Sequence, residues 1–312
     1  MASRNAQRVV SLLPSATEIV CALGAAERLV GVTHSCDLPE GALPLPVLTR
    51  TPLPLDAPSG EIDRLVRERA RRGEPLYVVD EARLAALAPD VILTQSLCDV
   101  CAVPEAAARQ AALAVPGGAR VVSLTPTRLA DVFAGIREVA DALGVAARGE
   151  ALAAALEARV AAVAARSERA PARPRVAFLE WLDPLFTGGH WNPELVRLAG
   201  GVEVLGREGE PSRRTSAREL GAARADVLFV ACCGLPRERA LADLAPELVA
   251  RSGAEACFVA DGRRHFSRPG PGLARSLELL AHALHPALHP RPAEPAFRVD
   301  AAPSAHAAAA LP

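Results

Sequence analysis

The chain has 312 residues, of which 50% are apolar, and its formal net charge is −1. This length suits two α/β domains, each with a hydrophobic core of its own. The near-neutral charge gives no basis for a nucleic-acid partner or an anionic membrane surface. No stretch is long and apolar enough to span a bilayer, so we expect no membrane insertion.

The first half alternates short apolar strands with helices. Residues 8–13 predict a strand, and residues 15–23 predict a helix with Ser15 as its N-cap and Glu18 completing a capping box. Further strands are expected at 29–33, 91–95 and 120–124, with helices before residue 91 and at 128–143. This order is typical of a parallel sheet covered by helices.

The second half repeats the same order of elements. Strands are expected at 175–181, 202–205, 227–231 and 257–260. A helix is expected at 192–199, with Asn192 as its cap and Pro193 at its first position. Two similar halves in one chain suggest duplication.

Residues 145–169 connect the two halves and contain no proline. Leu152, Leu156, Val160 and Val163 follow helical spacing, which predicts one helix of roughly 35–40 Å. We expect an α/β fold of two Rossmann-like lobes joined by this long backbone helix, with a ligand cleft between the lobes. The expected domains are an N-terminal lobe (1–144), the connecting helix (145–170), a C-terminal lobe (171–290) and a disordered, Pro/Ala-rich tail (291–312). We expect a monomer.

Ligands of open α/β sheets bind beyond the carboxyl ends of the strands. Side chains at or after the predicted strand ends are therefore the candidate ligand contacts. They are Ser15, His34, Cys36, Gln95, Cys98, Trp181, Phe186, His190, Trp191, Cys232, His265 and Phe266.

Thiols and imidazoles among these residues favour a metal. The spacing Cys98-x-x-Cys101 occurs in metal and redox sites, although Cys98 could equally pack as a small apolar side chain, and for Cys101 the pattern favours packing. The candidate metal ligands are Cys98, Cys101, His34 and His190, for zinc or iron. A thiol-dependent enzyme, with Cys98 paired to His34 or His190, also stays open.

The amino-terminal residues carry no evident leader. Arg4 and Arg8 precede an apolar stretch, but Pro14 and Glu18 interrupt it. Seven cysteines, an odd number, favour free thiols in a reducing compartment. We expect a cytoplasmic protein as the sequence is written, or a periplasmic or extracellular one if the N-terminus is incomplete.

Four segments carry a resemblance to a known family: residues 8–20 with 31–34, 95–103, 180–194, and 266–271. Across roughly residues 8–290 the chain resembles the cobalamin and iron-chelate substrate-binding proteins of ABC importers, in their cobalamin-binding-like branch. The resemblance implies a helical-backbone two-lobe fold and non-catalytic binding of a corrinoid such as cobalamin, or a related metal chelate, as a small-molecule ligand.

The same resemblance implies an ABC permease as a partner. Members of the family dock through one exposed glutamate on each lobe, and this chain has Ala82 and Arg218 at those positions. Glu81 and Glu219 are one place away. Three functions follow for testing: chelate binding, direct binding of zinc or iron, and thiol-dependent catalysis.

Overall fold

The computed structural model describes residues 7–37, 44–97 and 103–299. They form two compact units, and each is described by itself. The first unit comprises the described residues of 1–57, 64–157 and 269–271, and the second those of 58–63, 158–268 and 272–312. The domain boundaries expected from the sequence stay a prediction.

The elements of the first half alternate as expected, with additional short ones. Strands are β1 (Val9–Ser11), β2 (Leu29–Val32), β3 (Thr49–Arg50), β4 (Val78–Val79), β5 (Val91–Gln95) and β6 (Arg120–Leu124). Helices are α1 (Pro14–Ala22), α2 (Ser59–Arg72), α3 (Glu81–Leu87), α4 (Glu105–Ala112) and α5 (Leu129–Ala142), with a 3₁₀ turn at Ala26–Arg28. The helix α6 (Ala146–Ser167) follows.

A four-stranded parallel sheet of order β2-β1-β5-β6 forms the centre of the first unit. Every residue of β1 and β5 is buried, as strands covered by helices on both faces require. Val10, Leu12, Leu84 and Ile92 lie in its core. The strands β3 and β4 pair separately as an antiparallel ribbon.

The second unit contains the remaining elements. Its strands are β7 (Arg175–Leu182), β8 (Leu185–Thr187), β9 (Val202–Glu203), β10 (Val227–Val230), β11 (Ala256–Val259) and β12 (Phe297–Val299). Its helices are α7 (Asn192–Leu198), α8 (Ala217–Ala222), α9 (Arg237–Asp243), α10 (Pro246–Ser252) and α11 (Leu273–Leu284).

The sheet of the second unit has the order β12-β11-β10-β7-β8, with β9 beside β7. The strands β7, β10 and β11 run parallel, whereas β8 turns back along β7 and β12 runs antiparallel to β11. Phe178, Phe229 and Phe266 pack together at its centre, with ring centroids 5.3 Å apart for each pair.

The helix α6 has the predicted apolar face. Leu156 and Val163, seven residues apart, are buried, while Leu152 and Val160 are half-buried. No helix among residues 7–37, 44–97 and 103–299 has the length and apolar character needed to cross a membrane.

Three local expectations are corrected. The helix α1 begins at Pro14 with Leu13 as its N-cap, so Ser15 lies in the first turn and forms no capping bond. The helix α7 begins at Asn192 with Trp191 as its N-cap, one residue earlier than expected. The predicted disorder from residue 291 is wrong for Phe297–Val299, because this segment pairs with β11.

A buried carboxyl at the end of β9 makes the stability of the second unit depend on pH. Glu203 Oε1 accepts the backbone N–H groups of Leu205 (2.9 Å) and Gly206 (3.0 Å). Its Oε2 is buried and has no hydrogen-bond partner among the described residues. Burial raises the pKa of Glu203 to about 7, although these N–H groups oppose the shift.

We expect Glu203 to contribute a loss of stability as the pH rises from about 5 to about 8, opposite in sign to the contribution of the histidines whose pKa burial lowers. The unfolded chain ionises Glu203 near its ordinary pKa of about 4.3, whereas the folded chain resists ionisation until its pKa is passed. The loss in the free energy of unfolding is about 2 kcal/mol, and Glu203→Gln should remove it. Urea denaturation at both pH values measures it. Glu255→Gln, at an exposed position, is the control. If the free energy of unfolding of Glu203→Gln changed between the two pH values as much as that of the wild type, the prediction would be contradicted.

Candidate functional site

The loop after β2 presents an imidazole at the carboxyl end of the first sheet. His34 is half-buried, and the hydroxyl group of Thr49 holds it. Thr49 Oγ1 accepts the backbone N–H of His34 (3.0 Å) and lies 2.7 Å from His34 Nδ1. Thr33 Oγ1 lies 2.7 Å from the same hydroxyl oxygen. Burial lowers the pKa of His34, and a hydrogen bond with the backbone of Thr49 opposes this effect.

The hydroxyl of Thr49 has only one proton, which links the tautomer of His34 to Thr33. If Thr49 donates to Thr33, it accepts a hydrogen bond from the Nδ1–H of His34, and Nε2 keeps a lone pair available to a metal. If Thr49 donates to Nδ1 instead, Nε2 carries the proton. The first arrangement is the one that suits metal ligation.

Cys36 lies in the same loop and contacts helix α1. Its Sγ is 2.9 Å from Thr17 Oγ1, and either atom can be the donor. Cys36 is half-buried. The first residues of this loop are therefore anchored at two points, to Thr49 and to α1.

A hairpin at the end of β7 exposes two aromatic side chains in the second unit. Trp181 and Phe186 are cross-strand partners, and both are half-buried. The turn contains a cis peptide bond between Asp183 and Pro184. Trp181 Nε1 donates to Asp183 O (2.9 Å), which fixes the indole ring. The sequence predicts a strand to residue 181 and a loop beyond it, whereas the structure has a further strand, β8, in this loop.

The loop after β8 presents a second imidazole. His190 has a left-handed backbone, with φ of 52°, and its ring stacks on Trp191 at 5.7 Å. Burial lowers the pKa of His190, so the half-buried ring is neutral near neutral pH. Glycines precede it at positions 188 and 189, and a Cβ at Gly189 would collide with the backbone of Ser212.

Three expected ligand contacts lie instead in the interior of the second unit. Cys232 is 0% exposed and belongs to its apolar core. Phe266 is 1% exposed and contacts Phe178 and Phe229. Trp191 is 4% exposed and donates its Nε1 proton to Phe266 O (2.7 Å). Side chains of this unit enclose all three, and their assignment as ligand contacts stays a prediction.

The remaining candidates differ in exposure. His265 is half-buried, with its Nε2 3.7 Å from Glu294, and burial lowers its pKa against the opposing effect of nearby carboxylates. Ser15 and Gln95 are buried. Cys98 and Cys101 lie outside the described residues.

No group of three or more His, Cys, Asp or Glu side chains in the described parts of the chain could hold a metal ion. His34 and His190 lie in different units, and neither belongs to a group of three or more such side chains among the described residues. Burial raises the pKa of Cys21 and Cys257, and that of Cys232, which is the reverse of what a reactive thiolate requires.

Sequence reasoning missed two residues that hold the imidazoles. Thr49 is fifteen residues from His34, and nothing in its local sequence indicates the contact. Glu180 accepts hydrogen bonds from Gly189 and Asn192, on either side of His190. A charged residue inside the apolar segment 176–182 was the signal that could have revealed Glu180.

We expect Thr49→Val to loosen the loop that carries His34. The substitution keeps the shape of the side chain but removes its hydroxyl group. The backbone N–H of His34 then loses its acceptor, and Nδ1 of His34 loses its hydrogen-bond partner. The free energy of unfolding should fall by about 1–3 kcal/mol in urea denaturation. Thr51→Val, which removes a single 3.2 Å bond to Leu53, is the control. An equal effect of both substitutions would contradict the prediction.

Comparisons with known proteins give one family and several solved structures. The family model described as "Periplasmic binding protein" matches residues 9–252. The apo periplasmic heme-binding protein RhuT from Roseiflexus sp. RS-1 is 24% identical, with a TM-score of 0.65, over 91% of this chain and 100% of that chain. The periplasmic vitamin B12 binding protein BtuF of Vibrio cholerae is 20% identical, with a TM-score of 0.66, over 90% of this chain and 97% of that one.

A periplasmic heme-binding protein from Pseudomonas aeruginosa is 21% identical, with a TM-score of 0.63, over 94% of this chain and 95% of that chain. No curated protein sequence matches the chain. At these identities the solved structures establish the fold alone, and the expected α/β class with two lobes is confirmed.

Proposed function

Because the chain belongs to the periplasmic binding protein family, we propose that it binds a corrinoid such as cobalamin, or a related metal chelate. Its resemblance to substrate-binding proteins is confirmed at the level of the family. The observation that carries the proposal is a pair of neutral, half-buried imidazoles, His34 and His190, each fixed in a loop at a strand end.

A neutral imidazole is a good ligand for a cobalt or iron centre that a macrocycle already holds. Such a centre needs only one or two further ligands. Isolated histidines can supply these, whereas a bare zinc or iron ion requires more ligands from the protein. The half-buried ring pair of Trp181 and Phe186 offers an apolar surface to a flat macrocycle. Of the three solved structures described above, one is named as a vitamin B12 binding protein and two as heme-binding proteins, which supports this ligand class.

The chain is a non-catalytic binding protein, as expected, because its family consists of substrate-binding proteins. The thiol-dependent enzyme and the direct metal binder find no support in this membership. Membership also gives no support to a cytoplasmic location, because the family is periplasmic. We propose the periplasmic or extracellular location instead.

The family delivers small molecules to ABC transporters, and we propose an ABC permease as the partner of this chain. Glu81 is exposed at the start of α3. Glu219 is exposed in α8, where it accepts from Thr215 (2.7 Å) and lies 3.6 Å from Arg213. The monomeric state and the cleft between the lobes stay predictions.

We expect the purified protein to bind aquocobalamin or hemin with a shift of the visible absorption bands. His34→Ala and His190→Ala should each weaken binding by about tenfold or more, because each removes a metal ligand or a ring contact. His282→Ala is the matched control, because its ring is bound to the backbone oxygen of His289 in another part of the second unit.

Binding curves from the visible spectrum, together with elemental analysis of the purified protein, decide the result. Unchanged spectra with both chelates would overturn the proposal. Zinc or iron bound without a macrocycle would replace it by direct metal binding.

A further inference from the structure

Glu180 is a carboxyl group that the proposed function does not use. Its Oε2 accepts the backbone N–H of Gly189 (3.1 Å) and the side-chain N–H of Asn192 (3.3 Å). It also has a hydrogen bond with the side chain of Ser212. Two of these donors belong to residues on either side of His190, so one carboxyl group fixes both flanks of that histidine.

Residues 209 and 210 also hold the backbone of His190. Its N–H donates to Glu210 O (2.6 Å), and its carbonyl oxygen accepts the N–H of Gly209 (2.9 Å). The φ of 52° is uncommon for a residue that is not glycine, and such a conformation costs on the order of 1 kcal/mol or more. A strained backbone persists only where its surroundings over-determine it, and here four hydrogen bonds do so.

The carboxyl group is itself costly to place there. Burial raises the pKa of Glu180 above its ordinary range, and its hydrogen bonds with Ser212, Gly189 and Asn192 only partly offset this effect. Asn192 Oδ1 and His190 Nδ1 are also buried, with no hydrogen-bond partner among the described residues. An apolar side chain in β7 would avoid the cost of burial but would leave the loop N–H groups without an acceptor.

We propose that Glu180 is the positioning residue of His190: it holds the loop 188–192 in the conformation that presents the imidazole to a bound metal chelate. This inference rests on the proposed function for its ligand, but the loop conformation can be tested without one. Because the role is that of an acceptor, glutamine should replace glutamate and alanine should not.

Four forms of the full chain separate the outcomes: wild type, Glu180→Ala, Glu180→Gln and Asp226→Ala. Asp226 is the matched control, because its Oδ2 accepts the backbone N–H of Arg175 (2.7 Å) at the amino end of the same strand, β7. In the chelate-free protein, NMR resonances of the Gly189 amide and the His190 ring should move in Glu180→Ala and stay in place in Glu180→Gln and Asp226→Ala.

Titration with aquocobalamin and with hemin gives the second readout. We expect Glu180→Ala to weaken binding by about tenfold or more and to lose the absorption change of the imidazole-ligated centre. Glu180→Gln should retain both, and Asp226→Ala should unfold at lower urea concentration without losing affinity.

Unmoved His190 resonances in Glu180→Ala would overturn the inference. An equal loss of affinity in Asp226→Ala would also overturn it, because the effect would then come from general destabilisation. If the wild type binds neither chelate, the proposed function fails, and the resonances alone decide whether Glu180 positions His190.

Discussion

Parallel pairing of strands that are buried on both faces governs where this chain can place polar side chains. In β5 and β10 every residue is buried, and both neighbours of each strand are strands of the same sheet. A polar group in the middle of such a strand needs a partner that the sheet does not supply. Chemistry therefore moves to the loops, and His34 and His190 lie in loops that follow β2 and β8, each at an edge of its sheet.

The two units hold their imidazoles by different means. In the first unit, hydroxyl groups contact the ring and the backbone of His34 directly, so the tautomer depends on the direction of two O–H bonds. In the second unit, the hydrogen bonds fix the backbone around His190 and leave the ring to stack on Trp191. The first arrangement controls which nitrogen is available, and the second controls where the ring lies.

Local patterns were sufficient for the principal strands, the α/β class and the long helix α6. They were not sufficient for contacts made over long sequence separations. The strand β12 shows no strand pattern of its own and forms because β11, about forty residues earlier, offers an open edge. Cys232 comes directly after a strand, as a ligand contact would, yet it points into the core formed by Leu179 and Leu228. Thr49 illustrates the same limit, because its hydroxyl matters only after the fold brings it to His34.

The segment after α11 protects the sheet of the second unit. Arg264 bonds Glu294 (3.0 Å), and β12 then covers the outer side of β11. A chain shortened at Pro290 would leave the N–H and C=O groups of β11 open along one side, in a strand that reads Ala-Cys-Phe-Val. Exposed apolar edges of this kind recruit strands from other molecules. The last described residues therefore cover this edge of β11, and their removal would favour aggregation even if ligand binding were intact.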